Sequence, residues 1–116
     1  GMDLNVWKQR IVREIELIAD EGYQRRNWFL SNNPGDTPGE FINRLFDDRI
    51  VELYLVEAAA VINGSELEAL TKLVAALDVF SSETLDLLDP NDVIDDPRWN
   101  EIRLLATRYL ALAQNS

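Results

Sequence analysis

Apolar residues recur at three- and four-residue spacing along most of this chain, the period of one helical face. Leu4, Trp7, Ile11, Ile15, Ile18 and Gly22 form the first such stripe behind Asp3, a suitable N-cap, and predict a helix reaching Leu30. Gly22 marks either the close approach of a neighbouring helix or a break before Tyr23, and the periodicity favours continuity. The turn formers from Ser31 to Asp36 end this helix in a loop rather than a domain linker.

Thr37-Pro38-Gly39-Glu40 is a capping box with proline at the first helical position, where its missing N–H costs nothing. It opens a second helix whose stripe is Ile42, Leu45, Phe46, Ile50, Leu53, Tyr54, Val61 and Ile62, with Asn63-Gly64 as a left-handed stop. Ser65-Glu66-Leu67-Glu68 repeats the capping chemistry, so a third helix starts with almost no connection and must run antiparallel to the second. Leu67, Leu70, Leu73, Val74, Leu77 and Phe80 carry its core face. Leu85, Leu87 and Leu88 suit a short extra helix near 82–89, and Pro90 and Pro97 bracket a polar connection after it. Asp96-Pro97 then caps and opens a last helix, with Trp99, Ile102, Ala106, Tyr109, Leu110 and Ala113 on its buried face. No alternating run suggests a strand, and no long repeat is present. The expected fold is all-α: an antiparallel bundle of about four main helices in one domain spanning 1–116.

Composition narrows the function more than the fold. The 116 residues, 47% of them hydrophobic, suffice for one core without metals or disulfides. Eleven Lys and Arg against 21 Asp and Glu leave a net charge of −10, which argues against nucleic acid or an anionic membrane as a partner. The absence of Cys and His removes thiolate and imidazole chemistry together with the commonest zinc ligands. No apolar run is long enough to span a membrane and no leader pattern opens the chain, so it reads as cytoplasmic; Gly1, ahead of Met2, reads as a tag scar.

From Leu73 to Pro97 the chain carries Asp78, Glu83, Asp86, Asp89, Asp92, Asp95 and Asp96 with no Lys or Arg between them. Their repulsion is unrelieved within the tract. They suit a docking surface for a basic protein, and equally suit helix caps and solvated loops. Calcium fails as a reading, because counting from Asp89 an EF-hand loop would need an oxygen ligand where Val93 stands, and a central glycine that is missing. A Mg²⁺-dependent all-α nucleotide phosphohydrolase is the enzymatic alternative, with Glu16, Asp20, Asp48 and Glu52 as the available carboxylates. Their i,i+4 spacings suit solvated faces better than a shared metal. Arg25 and Arg26 beside Trp28 and Phe29 suggest cation–π packing at a helix end. Phosphate-loop, serine-elbow and zinc signatures are absent.

The order Gln24-x-Arg26-x-Trp28, then Leu45-Phe46-Asp47-Asp48, then Gly64-Ser65-Glu66 before a helix with Ala76-Leu77-Asp78, then Asp96-Pro97-x-Trp99, resembles a family of small acidic bacterial proteins. Most members have no assigned role, and some resemble immunity proteins that neutralise toxins. The resemblance implies a single domain and a protein-binding role, with Gln24, Arg26, Trp28, Asp47, Asp48, Pro97 and Trp99 as its shared structural motif. About 1.5 Å of rise per residue puts Arg26 roughly 9 Å in level from Asp47, so a bridge from Arg26 to Asp47 or Asp48 is expected. The expected function is a non-catalytic interaction module without cofactor or metal. It would meet a basic partner, such as a toxin, through Asp78, Glu83, Asp86, Asp89, Asp92 and Asp95; a homodimeric structural module is the further alternative.

Overall fold

A computed structural model describes residues 3–30, 37–84 and 89–114, apart from the side chain of Asp48. The described chain is helical throughout, with no strand: α1 (Leu4–Ala19), α2 (Glu21–Asn27), α3 (Pro38–Phe46), a 3-10 turn (Asp47–Arg49), α4 (Ile50–Ala58), α5 (Gly64–Thr84), α6 (Pro90–Val93) and α7 (Pro97–Gln114). The radius of gyration is 14.0 Å, near the roughly 13 Å expected of a compact chain this long.

The first stripe breaks where continuity was expected. Asp20 takes φ −90° and ψ 87°, ends α1, and caps α2 by accepting from the Tyr23 N–H at 2.9 Å. Gly22 therefore lies in the first turn of α2, and a Cβ there would meet the Arg26 guanidinium at 3.1 Å. Two carbonyls released near the end of α1, those of Leu17 and Ile18, accept from the side-chain amide of Gln24 at 2.9 and 2.8 Å. The break is stabilised from one turn further along the chain.

The second stripe also divides. Thr37 caps α3 as its capping box required, accepting from the Glu40 N–H at 3.2 Å. Arg49 then adopts the left-handed conformation at φ 58°, which reorients α4. The reorientation buries Ile50, Val51, Tyr54 and Ala58 and leaves Leu53 and Val61, both expected in the core, exposed. Asn63-Gly64 begins a helix instead of ending one. Gly64 has no positive φ, and the Asn63 side chain caps α5 by accepting from the Ser65 N–H at 2.7 Å. Ser65 is thus inside the helix, Glu68, the acid of the expected capping box, pairs with Lys72 at 3.0 Å instead, and Glu66 is buried.

Leu70, Leu73, Leu77 and Phe80 of α5 are buried as their spacing required, as are Trp99, Ile102, Ala106, Tyr109 and Ala113 of α7. The beginning of α5 (Glu68, Lys72) shares a recess with the far half of α7 (Leu105, Arg108), while the end of α5 (Val79, Glu83) meets its start (Pro97, Arg98). The two long helices therefore run in opposite directions. Residues 85–88, which carry Leu85, Asp86, Leu87 and Leu88, lie outside the described residues; the short helix found nearby starts later, at Pro90, with Asp89 as its cap.

Candidate functional site

Gln24 stands at the centre of the described polar interior. It is fully buried, and its Oε1 accepts from the Trp99 Nε1 at 3.1 Å and the Arg103 Nε at 2.9 Å. Together with the two bonds its amide donates to α1, all four hydrogen-bonding positions of a glutamine side chain are in use. Arg103, itself buried, donates a further bond from Nη2 to the Ile94 carbonyl at 2.7 Å. Burial lowers the affinity of Arg103 for its proton, an effect opposed by the Glu21 carboxylate 3.7 Å from Nη1. A buried arginine held this way fixes three things at once: α2 through Gln24, α7 from which it projects, and the backbone just after α6.

Around this polar centre lies an aromatic cluster. Trp99 packs against Trp28 at 5.8 Å and Phe80 at 5.5 Å between ring centroids, and Trp28 against Phe41 at 5.7 Å. Trp28 thus packs among rings, whereas cation–π packing with Arg25 or Arg26 was expected. The cation–π contacts found are Arg44 over Phe41 and Arg98 over Phe80, at 5.2 and 5.1 Å.

Of the motif residues, Gln24, Trp28 and Trp99 therefore meet in the core, and Pro97 starts α7 as its position required. Arg26 and Asp47 do not meet. Both are exposed, and no ion pair joins them among the described residues; the side chain of Asp48 lies outside those residues. The buried bridge expected from Arg26 to Asp47 is corrected, because the break at Asp20 turns Arg26 outwards and Gln24 inwards.

The acidic tract gathers at one end of the molecule, on the end of α5, on α6 and on the segment leading into α7. Val93 and Ile94 are buried and anchor α6, leaving Asp89, Asp92 and Asp95 exposed. Asp89 caps α6, accepting from the Asn91 N–H at 2.8 Å. The repulsion is not unrelieved, as the linear sequence suggested: Arg25 of α2 reaches Asp95 at 2.8 Å, and Arg98 reaches Asp96 at 2.8 Å and Glu83 at 3.8 Å. Arg98 holds the Asp96 carboxyl below the usual carboxylate range, and the hydrogen bond that Arg25 donates to Asp95 raises the pKa of Arg25. Two arginines against Glu83, Asp89, Asp92, Asp95 and Asp96 still leave an acidic surface. Asp78 is exposed further back along α5, and Asp86 lies outside the described residues.

The carboxylates of the metal-enzyme alternative are spread out. Glu52 pairs with Arg49 at 3.0 Å, Asp20 accepts from the Tyr23 N–H as the cap of α2, and the side chain of Asp48 lies outside the described residues. Among the described residues no three His, Cys, Asp or Glu side chains lie close enough to hold a metal ion.

Sequence reasoning missed one further cluster. Glu66 is buried at the start of α5 with Lys8 of α1 at 3.5 Å, while Lys8 also donates to the Ala113 carbonyl at 3.1 Å. Tyr54 and Tyr109 are buried nearby, and the Tyr109 hydroxyl has no hydrogen-bond partner. Leu4, Tyr54, Ile62 and Glu66 line a cleft of about 290 Å³ beside this group. The signal available was position: Glu66 falls four residues before Leu70 and seven before Leu73, on the core stripe of α5. No protein-family model, curated protein or solved structure matches this chain.

Proposed function

We propose that this protein is a non-catalytic interaction module of the cytosol, an immunity- or antitoxin-like partner that meets a basic protein through its acidic end. In this reading the helices act as an antiparallel bundle of four units: α1 with α2, α3 with α4, α5, and α7. The observation that carries the proposal is the bond from the buried Arg103 to the Ile94 carbonyl, which ties the acidic α6 turn to the core. Carboxylates on a backbone fixed in advance lose little conformational entropy on binding, and their charge steers a basic partner into contact. Described helices are also too short or too polar to cross a membrane.

The test is Asp89→Asn, Asp92→Asn and Asp95→Asn combined, since Asn keeps the α6 cap and each exposed change should alter stability by no more than about 0.5 kcal/mol. Used as bait in a bacterial lysate at low and high salt, the wild type is expected to retain a basic protein that the triple variant loses, with retention falling as salt rises. Equal capture by both baits with the same salt dependence would place the interface elsewhere.

A further inference from the structure

The seam between α5 and α7 on the outer face of the molecule is open, apolar towards the end of α5 and mixed towards its start. Near the end of α5 it forms a groove of about 530 Å³ over Ala76, Phe80 and Ile102. Val79 stands at its edge with 54% of its surface exposed, and Ala75 beside it is exposed too. A second, smaller recess of about 40 Å³ continues the seam towards Ser65 and Arg108.

Charge decides what fits this seam. The charged side chains lining its two recesses are Glu68, Glu83 and Glu101 against Lys72, Arg98 and Arg108, so they balance. The whole −10 excess of the chain lies elsewhere. Two copies of so acidic a protein repel one another over most of their surfaces, and a strongly basic partner gains nothing from a neutral one. A balanced apolar face favours a partner whose own face is balanced and apolar.

The order of the charges is also self-complementary. Because the helices run in opposite directions, Glu68 lies level with Arg108 at one end of the seam, and Glu83 lies level with Arg98 at the other. Arg98 reaches Glu83 across the seam at 3.8 Å, and Glu68 is held low first by Lys72 and then by the field of Arg108. A two-fold axis parallel to the helices lays α5 of one copy over α7 of the other. That sets Glu68 against the partner's Arg108 and Glu83 against the partner's Arg98. An axis across the helices would instead set Glu68 against the partner's Glu83, and like charges would meet. With the axis at the middle of the seam, the first arrangement opposes unlike charges at both ends, and Lys72 stays paired with Glu68 of its own helix at 3.0 Å.

The geometry points to a second copy of this chain as the occupant of the α5–α7 seam, forming an isologous dimer in which the two helix pairs pack face to face around Val79. This surface adjoins the acidic end and shares Glu83 and Arg98 with it, while Asp89, Asp92 and Asp95 lie outside its lining and stay open for a different protein.

Sedimentation velocity across a concentration series tests the dimer. The wild type is expected to pass from the 13.3 kDa chain to a species of twice that mass between about 1 μM and 1 mM. Val79→Asp, which puts a charge into the apolar centre of both copies, should raise the dissociation constant by about tenfold or more while far-ultraviolet circular dichroism shows unchanged helix content. Glu68→Arg or Arg108→Glu alone should each weaken the dimer by about threefold to thirtyfold, because each single change creates two like-charge contacts per dimer. The two together should restore it. A 13.3 kDa monomer at every concentration, whether or not another protein takes up the seam, would overturn the proposal. So would a dimer indifferent to Val79→Asp, or single charge reversals that the double reversal does not repair.

Discussion

Gln24→Leu is expected to destabilise the protein by about 3–5 kcal/mol, although leucine matches glutamine closely in size and the site is fully buried. The substitution removes the acceptor for Trp99 and Arg103 and the donors to the Leu17 and Ile18 carbonyls. A buried polar group left without its partner costs about 1–3 kcal/mol, more if it is charged, and several are orphaned at once. Against a total stability of about 5–15 kcal/mol this is a large fraction. Urea unfolding followed by the fluorescence of the buried Trp28 and Trp99 reads the change directly. A loss below about 1 kcal/mol would mean that the glutamine amide contributes little to joining α1, α2 and α7.

The second large effect is at high pH. Burial raises the phenol pKa of Tyr109, with smaller contributions from Tyr54 and Glu66, and burial followed by the charge of Glu66 raises that of Tyr54. In the unfolded chain both ionise near pH 10, whereas in the folded protein they keep their protons beyond that. The unfolded state then binds fewer protons than the folded state, so stability falls as pH rises. A tyrosine that keeps its proton while its unfolded counterpart ionises contributes a loss of about 1.4 kcal/mol per pH unit, so Tyr109 should remove roughly 2 kcal/mol between pH 10 and 12, with Tyr54 adding in the same direction. Below pH 9 this contribution is flat. Tyr109→Phe should remove most of the alkaline slope and leave stability at pH 7 equal or slightly higher, because the hydroxyl it removes is buried without a hydrogen-bond partner. Urea midpoints at pH 8 and pH 11 for both proteins provide the comparison, and an unchanged slope in the variant would contradict the burial of Tyr109.

Helix content and most core positions were legible in the sequence because they depend on periodicity, which is a local property. Ile11, Ile15, Leu73, Leu77 and Trp99 are buried where the spacing put them. The two breaks were not legible in that way. Continuity of α1 into α2 is decided by whether Gln24, six residues after Ile18, finds the carbonyls a break sets free, and that depends on Trp99 and Arg103, about 75 residues further on. A local signal did exist: Asp20-Glu21-Gly22 offers a cap followed by an acid in the first turn of a new helix. Arg103 could also have been singled out, since it lies four residues after Trp99 and three before Ala106, within the buried stripe of α7. The acidic tract misled in the opposite direction. Its charges looked uncompensated because Arg25, seventy residues from Asp95 in sequence, is brought to it only by the fold.

The buried Gln24 and Arg103 tie α6, and with it Asp89, Asp92 and Asp95, to the core, which is the link on which the proposed partner surface depends. Native-state amide exchange in the wild type and in Arg103→Met tests this link most directly. The Asp92, Val93 and Ile94 N–H groups donate to the Asp89 and Pro90 carbonyls within α6, and Arg103 holds the Ile94 carbonyl. In the variant these three amides are expected to exchange about tenfold faster or more, the equivalent of about 1.4 kcal/mol of lost local stability, while the Leu70 to Leu77 amides of α5 change much less. Unchanged protection of α6 in Arg103→Met, or a uniform acceleration across α5 and α6 alike, would contradict it.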